Sequence, residues 1–249
     1  MTCERFASGN SILHRSDPRV KILLAAGFAV VTAVIETRTG QVLALLGGMI
    51  LILSGGLLNR ELFRRMAWVN FFLLMLWFIL PVTTPGNAAA KIWSLDISRE
   101  GLELALSVTL KCNAIVLANI ALLSTSTIFA IAHALAHLNV PSRLVQLFFF
   151  SWRYFHVIYS EFRRLRRAAG VRGFEPATDM HTYMTYAHMI GMLFIRSLER
   201  GERVYKAMLC RGFDGTFWLL THFHLHRRDF FLAFVSSAYI LAIAGVEWL

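Results

Sequence analysis

Residues 41–58 read QVLALLGGMILILSGGLL, eighteen positions without a formal charge. A helix rises about 1.5 Å per residue and needs roughly 17–25 apolar residues to cross the hydrocarbon core of a bilayer, so this stretch is long enough to span. Gly47, Gly48, Gly55 and Gly56 within it would let a second helix approach closely. Working outward, four more apolar runs appear, at 20–35, 67–82, 102–124 and 230–249. Trp68 and Trp77 mark the third, which Pro81 closes; Lys111 and Asn113 interrupt the fourth; Trp248 sits at the edge of the last. The first and third runs are at the short end for a span. The fold class read from this pattern is all-α: a polytopic membrane protein of about five transmembrane helices, with long helices outside the membrane.

Composition agrees. Apolar residues make up 57% of the 249, charged residues 16%, and the mean hydropathy is +0.57. A soluble domain carries about a quarter charged residues. The net charge is nevertheless +10, which marks a face for the cytoplasm, for acidic lipid or for an acidic partner. No nucleic-acid recognition motif accompanies it, so nucleic acid is not expected as a partner. Cys3, Cys112 and Cys210 have no paired spacing and predict neither a disulfide framework nor a zinc knuckle. The polar lead from Cys3, Glu4 and Arg5 to Lys21 is too long for a cleaved signal peptide.

Basic residues alternate across the spans. Arg5, Arg15, Arg19 and Lys21 precede the first, and Arg60, Arg64 and Arg65 lie between the second and third. The intervening loops hold few: Arg38 in one, Lys91 and Arg99 in the other. Residues 125–228 hold thirteen Arg and one Lys against six acidic residues. The positive-inside rule then predicts a cytoplasmic N-terminus, a cytoplasmic 125–228 region and an external C-terminus. The chain divides on this reading into 1–124 with four spans, 125–228 as a helical cytoplasmic region, and 229–249 as a final span in the plasma (inner) membrane. An alternative makes 144–162 and 183–198 spans as well. It would place the Arg-rich 163–182 stretch outside, which positive-inside disfavours.

Within 125–228, a short amphipathic helix at 125–138 precedes Pro141. A long helix follows to about Ala169, rich in aromatics and ending in Arg163, Arg164, Arg166 and Arg167, a charge that suits a helix C-terminus. A second runs from about Tyr183 to Cys210. Both finish alike: Val171-Arg172-Gly173-Phe174-Glu175 and Cys210-Arg211-Gly212-Phe213-Asp214. A basic last turn with a glycine stop explains either one alone. It does not explain the same Arg-Gly-Phe-acidic sequence occurring twice, 39 positions apart.

These paired tips resemble those of the transmembrane T component of energy-coupling factor (ECF) transporters, the CbiQ/EcfT family, whose two cytoplasmic coupling helices end in an Ala-Arg-Gly-type motif. The match departs before the Arg, where Val171 and Cys210 replace Ala. The leader from Gly9 through Asp17-Pro18 to Lys21 and the Asn139-Val140-Pro141-Ser142-Arg143 segment also resemble the family, so the likeness covers essentially the whole chain. It implies a non-catalytic subunit of an ATP-driven importer. Val171, Arg172, Gly173, Phe174, Cys210, Arg211, Gly212 and Phe213 would bind two cytoplasmic ATPase subunits. The helix bodies would pass motion to a separate substrate-binding membrane S component, with a small accessory membrane subunit as a further partner. The leader favours cobalt or nickel as substrate over a vitamin. No cofactor is expected in this chain; ATP would be bound by the partners, as the lack of a P-loop also indicates.

Other constellations weigh less. His222, His224 and His226 alternate, and His133 and His137 lie four apart, both metal-compatible spacings. A solvated juxtamembrane stretch accounts for them, and no metal site is expected. Lys111 and Asn113 could mark an ion path, but a bond to a neighbouring helix explains them more simply. A membrane enzyme with its site in the basic region is the alternative function. It would need clustered carboxylates or histidines, whereas the acidic residues here are interleaved with Arg. A channel is disfavoured because the spans lack a polar stripe.

Overall fold

The computed structural model describes residue 9 and residues 11–85, 88–92, 95–138, 140–215 and 227–247. In chain order the elements are α1 (Ile12–Arg15), α2 (Pro18–Val34), α3 (Arg38–Gly55), α4 (Arg60–Thr83), β1 (Ala88–Ile92), β2 (Leu95–Ser98), α5 (Arg99–Leu123), α6 (Ile128–His137), α7 (Ser142–Val171), α8 (Met180–Leu209) and α9 (Arg227–Glu247). They form two compact units whose boundary falls within α6, after Ala134.

In the first unit, local chemistry sets the helix ends. Asp17 accepts a hydrogen bond from the Arg19 N–H at 2.9 Å, and Pro18 opens α2 where no N–H is needed. At the end of α3, Gly56 takes φ 62°, and Leu57 N–H returns to the Ile52 carbonyl at 3.2 Å. The third apolar run is longer than the sequence suggests. α4 begins at Arg60 and continues through Pro81 to Thr83, so its 24 residues cover about 36 Å. Pro81 lies in the last turn, where it does not stop the helix. β1 and β2 pair antiparallel as a short hairpin, Lys91 opposite Asp96, between α4 and α5.

The core lies where α3 and α5 meet, flanked by α2 and α9. Ala44, Ala114, Ala118 and Ala121 are fully or almost fully buried, and a Cβ on Gly48 would come within 3.0 Å of the Ala114 carbonyl. Small residues at this seam bring the backbones together, the arrangement that holds helices in lipid, where apolar burial alone provides no drive. Trp68, Phe71, Phe72 and Phe78 of α4 and Phe230, Phe231 and Phe234 of α9 are exposed, as lipid-facing side chains are.

Among the described residues, four helices are long and apolar enough to cross a membrane: α3, α4, α5 and the 229–247 part of α9. α2, with 17 residues, packs among them. α7 and α8, thirty residues each, are not among the four. This is a multi-pass membrane protein of the all-α class.

The second unit holds α7 and α8. The Asp179 carboxylate caps α8, accepting from the Thr182 N–H at 2.9 Å, while the Thr182 hydroxyl accepts from the Ala177 N–H at 3.1 Å. α8 starts at Met180, three residues before the sequence suggests, because Asp179 rather than a later residue supplies the cap. Glu161 of α7 is ion-paired with Arg196 of α8 and lies 3.7 Å from Arg164.

Candidate functional site

The tips of α7 and α8 are built by one hydrogen-bonding scheme. In α7 the Phe174 N–H donates to the Ala169 carbonyl at 3.1 Å and the Gly173 N–H to the Gly170 carbonyl at 3.0 Å. In α8 the Phe213 N–H donates to Met208 at 3.1 Å and the Gly212 N–H to Leu209 at 3.0 Å. These are Schellman turns, in which the last free carbonyls of a helix are satisfied by the two residues that follow it. Gly173 has φ 81° and Gly212 φ 80°. An L-residue is strained there, so glycine is the residue the turn demands. α8 ends one residue earlier relative to its motif than α7, but the hydrogen bonds of the two turns are in identical register.

The scheme fixes where each side chain stands. Arg172 and Arg211 are the last residues before the reversal, and both are exposed. Neither makes an ion pair among the described residues. Val171 is 91% exposed, and the thiol-bearing Cys210 is free and exposed. Each tip therefore offers a guanidinium at the end of a helix, whose C-terminal carbonyls add partial negative charge behind it. Such a group can take a carboxylate in a two-pronged, planar contact. Phe174 is half-buried and packs edge-on against Tyr186, ring centres 5.8 Å apart, with His181 at 6.3 Å. Its ring is thus engaged by α8 of its own unit. Phe213 is also half-buried.

The remaining sequence candidates separate cleanly. The Lys111 ammonium donates to the Ala33 carbonyl at 3.0 Å, tying α5 to α2. Asn113 and Asn70 exchange reciprocal amide bonds of 3.0 and 3.2 Å between α5 and α4. Both polar interruptions of the fourth run are helix-to-helix bonds. His133 and His137 make contacts within the chain, and His222, His224 and His226 lie outside the described residues. Among the described residues, no group of three or more His, Cys, Asp or Glu is placed to hold a metal.

Sequence reasoning missed a buried polar junction in the first unit. Lys21 is 1% exposed, and its ammonium donates to the Thr125 and Ser126 hydroxyls at 3.2 and 3.0 Å. The Asp17 N–H donates to the Asp229 carboxylate at 3.0 Å. Lys21 reads in sequence as a charge flanking the first span. The signals pointing elsewhere were its place one turn inside the helix that Pro18 opens, and the hydroxyl pair just after α5.

Residues 9–222, which include both tips, match the model of a family described as cobalt transport protein, CbiQ. The chain belongs to the CbiQ family. Curated relatives agree over nearly the whole length. The energy-coupling factor transporter transmembrane protein EcfT of Ruminiclostridium cellulolyticum is 22% identical over 87% of this chain and 85% of its own. That of Acidaminococcus fermentans is 25% identical over 86% and 84%. That of Lactobacillus helveticus is 23% identical over 97% and 91%. As a member of this family the chain is a membrane transport subunit and not an enzyme.

Proposed function

We propose that this CbiQ-family chain couples ATP hydrolysis on two cytoplasmic ATPase subunits to a separate substrate-binding membrane component. The observation that carries the reading is the repeated tip: two thirty-residue helices in one unit, each closed by the same turn and each presenting an exposed Arg with no ion pair among the described residues. One such end is a common way to stop a helix. Two in identical register suit a pair of equivalent grooves, one on each of two like subunits. Arg172 and Arg211 would each enter an acidic groove, and closure of the ATPase pair on ATP would draw the tips together. The bodies of α7 and α8 would carry that motion to the substrate-binding component. In this reading the N-terminus and both tips are cytoplasmic and the C-terminus external, following the Arg distribution. Cobalt or nickel is the proposed substrate; of the two, the family's description names cobalt.

The test is co-purification of ATPase chains with tagged protein, combined with uptake of radioactive cobalt or nickel in cells. Wild type should retain two ATPase chains and support uptake, and the Arg172→Ala/Arg211→Ala variant should lose both. Retention of the ATPases by that variant would remove the tips from the coupling role. Uptake of neither metal alongside normal ATPase retention would instead remove the substrate assignment alone.

A further inference from the structure

A second surface of α7 carries chemistry that docking of the tips leaves unused. Trp152 and Phe155 are stacked at 6.3 Å with their rings 3° from parallel, and Phe155 and Tyr159 at 6.5 Å and 9°. The Arg163 guanidinium then lies 6.0 Å from the centre of the Tyr159 ring. Tyr159, Phe162, Arg163, Arg166 and Arg167 line a concavity of about 340 Å³. All five come from α7, at the spacing that puts residues on one side of a helix.

Among the described residues, the charges on this side are not consumed by ion pairs. Glu161 is taken by Arg196 and Arg164, whereas Arg163, Arg166 and Arg167 are exposed and make no ion pair among the described residues. Two of the three stacked rings are uncovered too: Phe155 and Tyr159 are each 54% exposed, while Trp152 is half-buried, and no residue of α7 is fully buried. Along the helix axis the side divides in two, with stacked aromatics over about 10 Å and then three guanidinium groups over the next ~12 Å.

That division matches the boundary between acyl chains and head groups, where amphipathic rings settle at the interface and Arg side chains reach the phosphates. An acidic protein groove would account for the arginines alone, and an apolar contact with a membrane partner for the rings alone; a phospholipid accounts for both on one side of the helix. We infer that this side of α7 is a binding surface for anionic phospholipid, with Arg163, Arg166 and Arg167 on the lipid phosphate and Trp152, Phe155 and Tyr159 at the base of the acyl chains. The inference uses only the geometry of α7 and is independent of what the tips bind.

The experiment uses the full chain in nanodiscs of phosphatidylcholine and phosphatidylglycerol, measuring the ratio of the two lipids retained after exchange into limiting neutral detergent. Wild type should be enriched in phosphatidylglycerol. An Arg163→Gln/Arg166→Gln/Arg167→Gln variant should lose that enrichment by at least about fivefold, since one basic residue near an anionic surface strengthens association by roughly that factor. Arg200→Gln/Arg203→Gln/Lys206→Gln removes equal charge from α8 and should leave it unchanged. Phe155→Ala/Tyr159→Ala should lower it with every Arg in place. Unchanged enrichment in the α7 Arg variant overturns the inference, and so does an equal loss in the α8 control, which would reduce the effect to net charge. Full displacement of the lipid by millimolar inorganic phosphate would mark a soluble-phosphate site instead and overturns the lipid assignment. Unchanged enrichment with loss of the ATPase chains would assign the surface to an acidic protein partner.

Discussion

Glu161 of α7 and Arg196 of α8 form an ion pair that ties together the two helices whose tips repeat. The Glu161 side chain is 14% exposed and that of Arg196 43%, so the pair lies between the exposed and the buried extremes. Exposed pairs contribute ~0–1 kcal/mol, and truncating one partner of a buried pair costs about 3–5. Glu161→Gln or Arg196→Ala should therefore cost about 1–2 kcal/mol, nearer the lower bound because Arg196 is partly hydrated. Hydrogen exchange across α7 and α8 reads the effect directly. Arg164→Ala removes only an i,i+3 contact at 3.7 Å on an exposed side chain and should leave the exchange pattern nearly unchanged.

The glycines of the second unit should divide by backbone conformation rather than by crowding. Among the described residues, none lies within 4 Å of where a Cβ on Gly173, Gly212 or Gly201 would stand. Gly173 and Gly212 hold positive φ, where an added Cβ costs about 1–2 kcal/mol. Gly201 is inside α8 with helical backbone, where alanine gains roughly 0.5–1 kcal/mol. Gly212→Ala should lower both the melting temperature and ATPase co-purification, since it disturbs the turn that presents Arg211. Gly201→Ala should raise the melting temperature and leave co-purification intact.

Crowding decides in the first unit. A Cβ on Gly101 would fall 2.6 Å from the Leu80 carbonyl and 2.7 Å from Pro81 Cα, both of them backbone atoms that cannot swing aside. A Cβ on Gly27 would meet nothing within 4 Å among the described residues. Gly101→Ala should destabilise by about 1–3 kcal/mol through overpacking, with Gly27→Ala neutral or mildly favourable. Thermal unfolding in one detergent, followed by size-exclusion recovery, separates them. Equal melting temperatures for the two variants would contradict the α4–α5 packing described above.

The sequence-to-structure correspondence follows the range of the interactions. Local signals held: the five apolar runs each became a helix, and Arg-Gly-Phe did end α7 and α8. Chemistry at a distance was invisible. Asp17 and Asp229 are 212 positions apart, and nothing in the periodicity of either segment joins them. Lys21 and Thr125 are likewise brought together only by packing of α2 against α5. Helix starts were misplaced where charge hid them. Arg60, Arg64 and Arg65 read as a loop between spans, yet they belong to α4, because Arg is a good helix former and can extend its head toward water. The β1–β2 hairpin carried no strong alternation to announce it.

The α8 cap gives a pH dependence with a definite sign. Hydrogen bonds from Thr182 hold the Asp179 carboxylate below its ordinary value of 3.8. A lowered carboxylate contributes fully above its unfolded value, and its contribution is lost as pH falls through the folded one. The first turn of α8 should thus be insensitive to pH near neutrality and should fray only in acid, below about pH 4. Amide protection of Thr182, followed by NMR, should fall in that range for wild type. In Asp179→Asn the amide oxygen keeps the cap and has no proton to gain, so protection should stay flat.

The most consequential expectation concerns Arg172 and Arg211 together. Each is exposed, makes no ion pair among the described residues and is fixed at the same place in the same turn. If each is desolvated in an acidic groove, truncating it should cost on the order of 2–5 kcal/mol of binding, because the partner carboxylate is left buried alone. Loss of one tip should weaken assembly by at least tenfold, about 1.4 kcal/mol, while the other tip still tethers an ATPase. Loss of both should nearly abolish assembly and uptake. Lysine should rescue poorly: it keeps the charge but offers a rotating ammonium where the groove fits a planar fork. Uptake and ATPase co-purification are compared for Arg172→Ala, Arg211→Ala, their combination, Arg172→Lys and Arg211→Lys. Full activity in either Lys variant would show that bare charge suffices and would remove the forked-contact argument. Full activity in the double Ala variant would reduce both tips to ordinary helix ends.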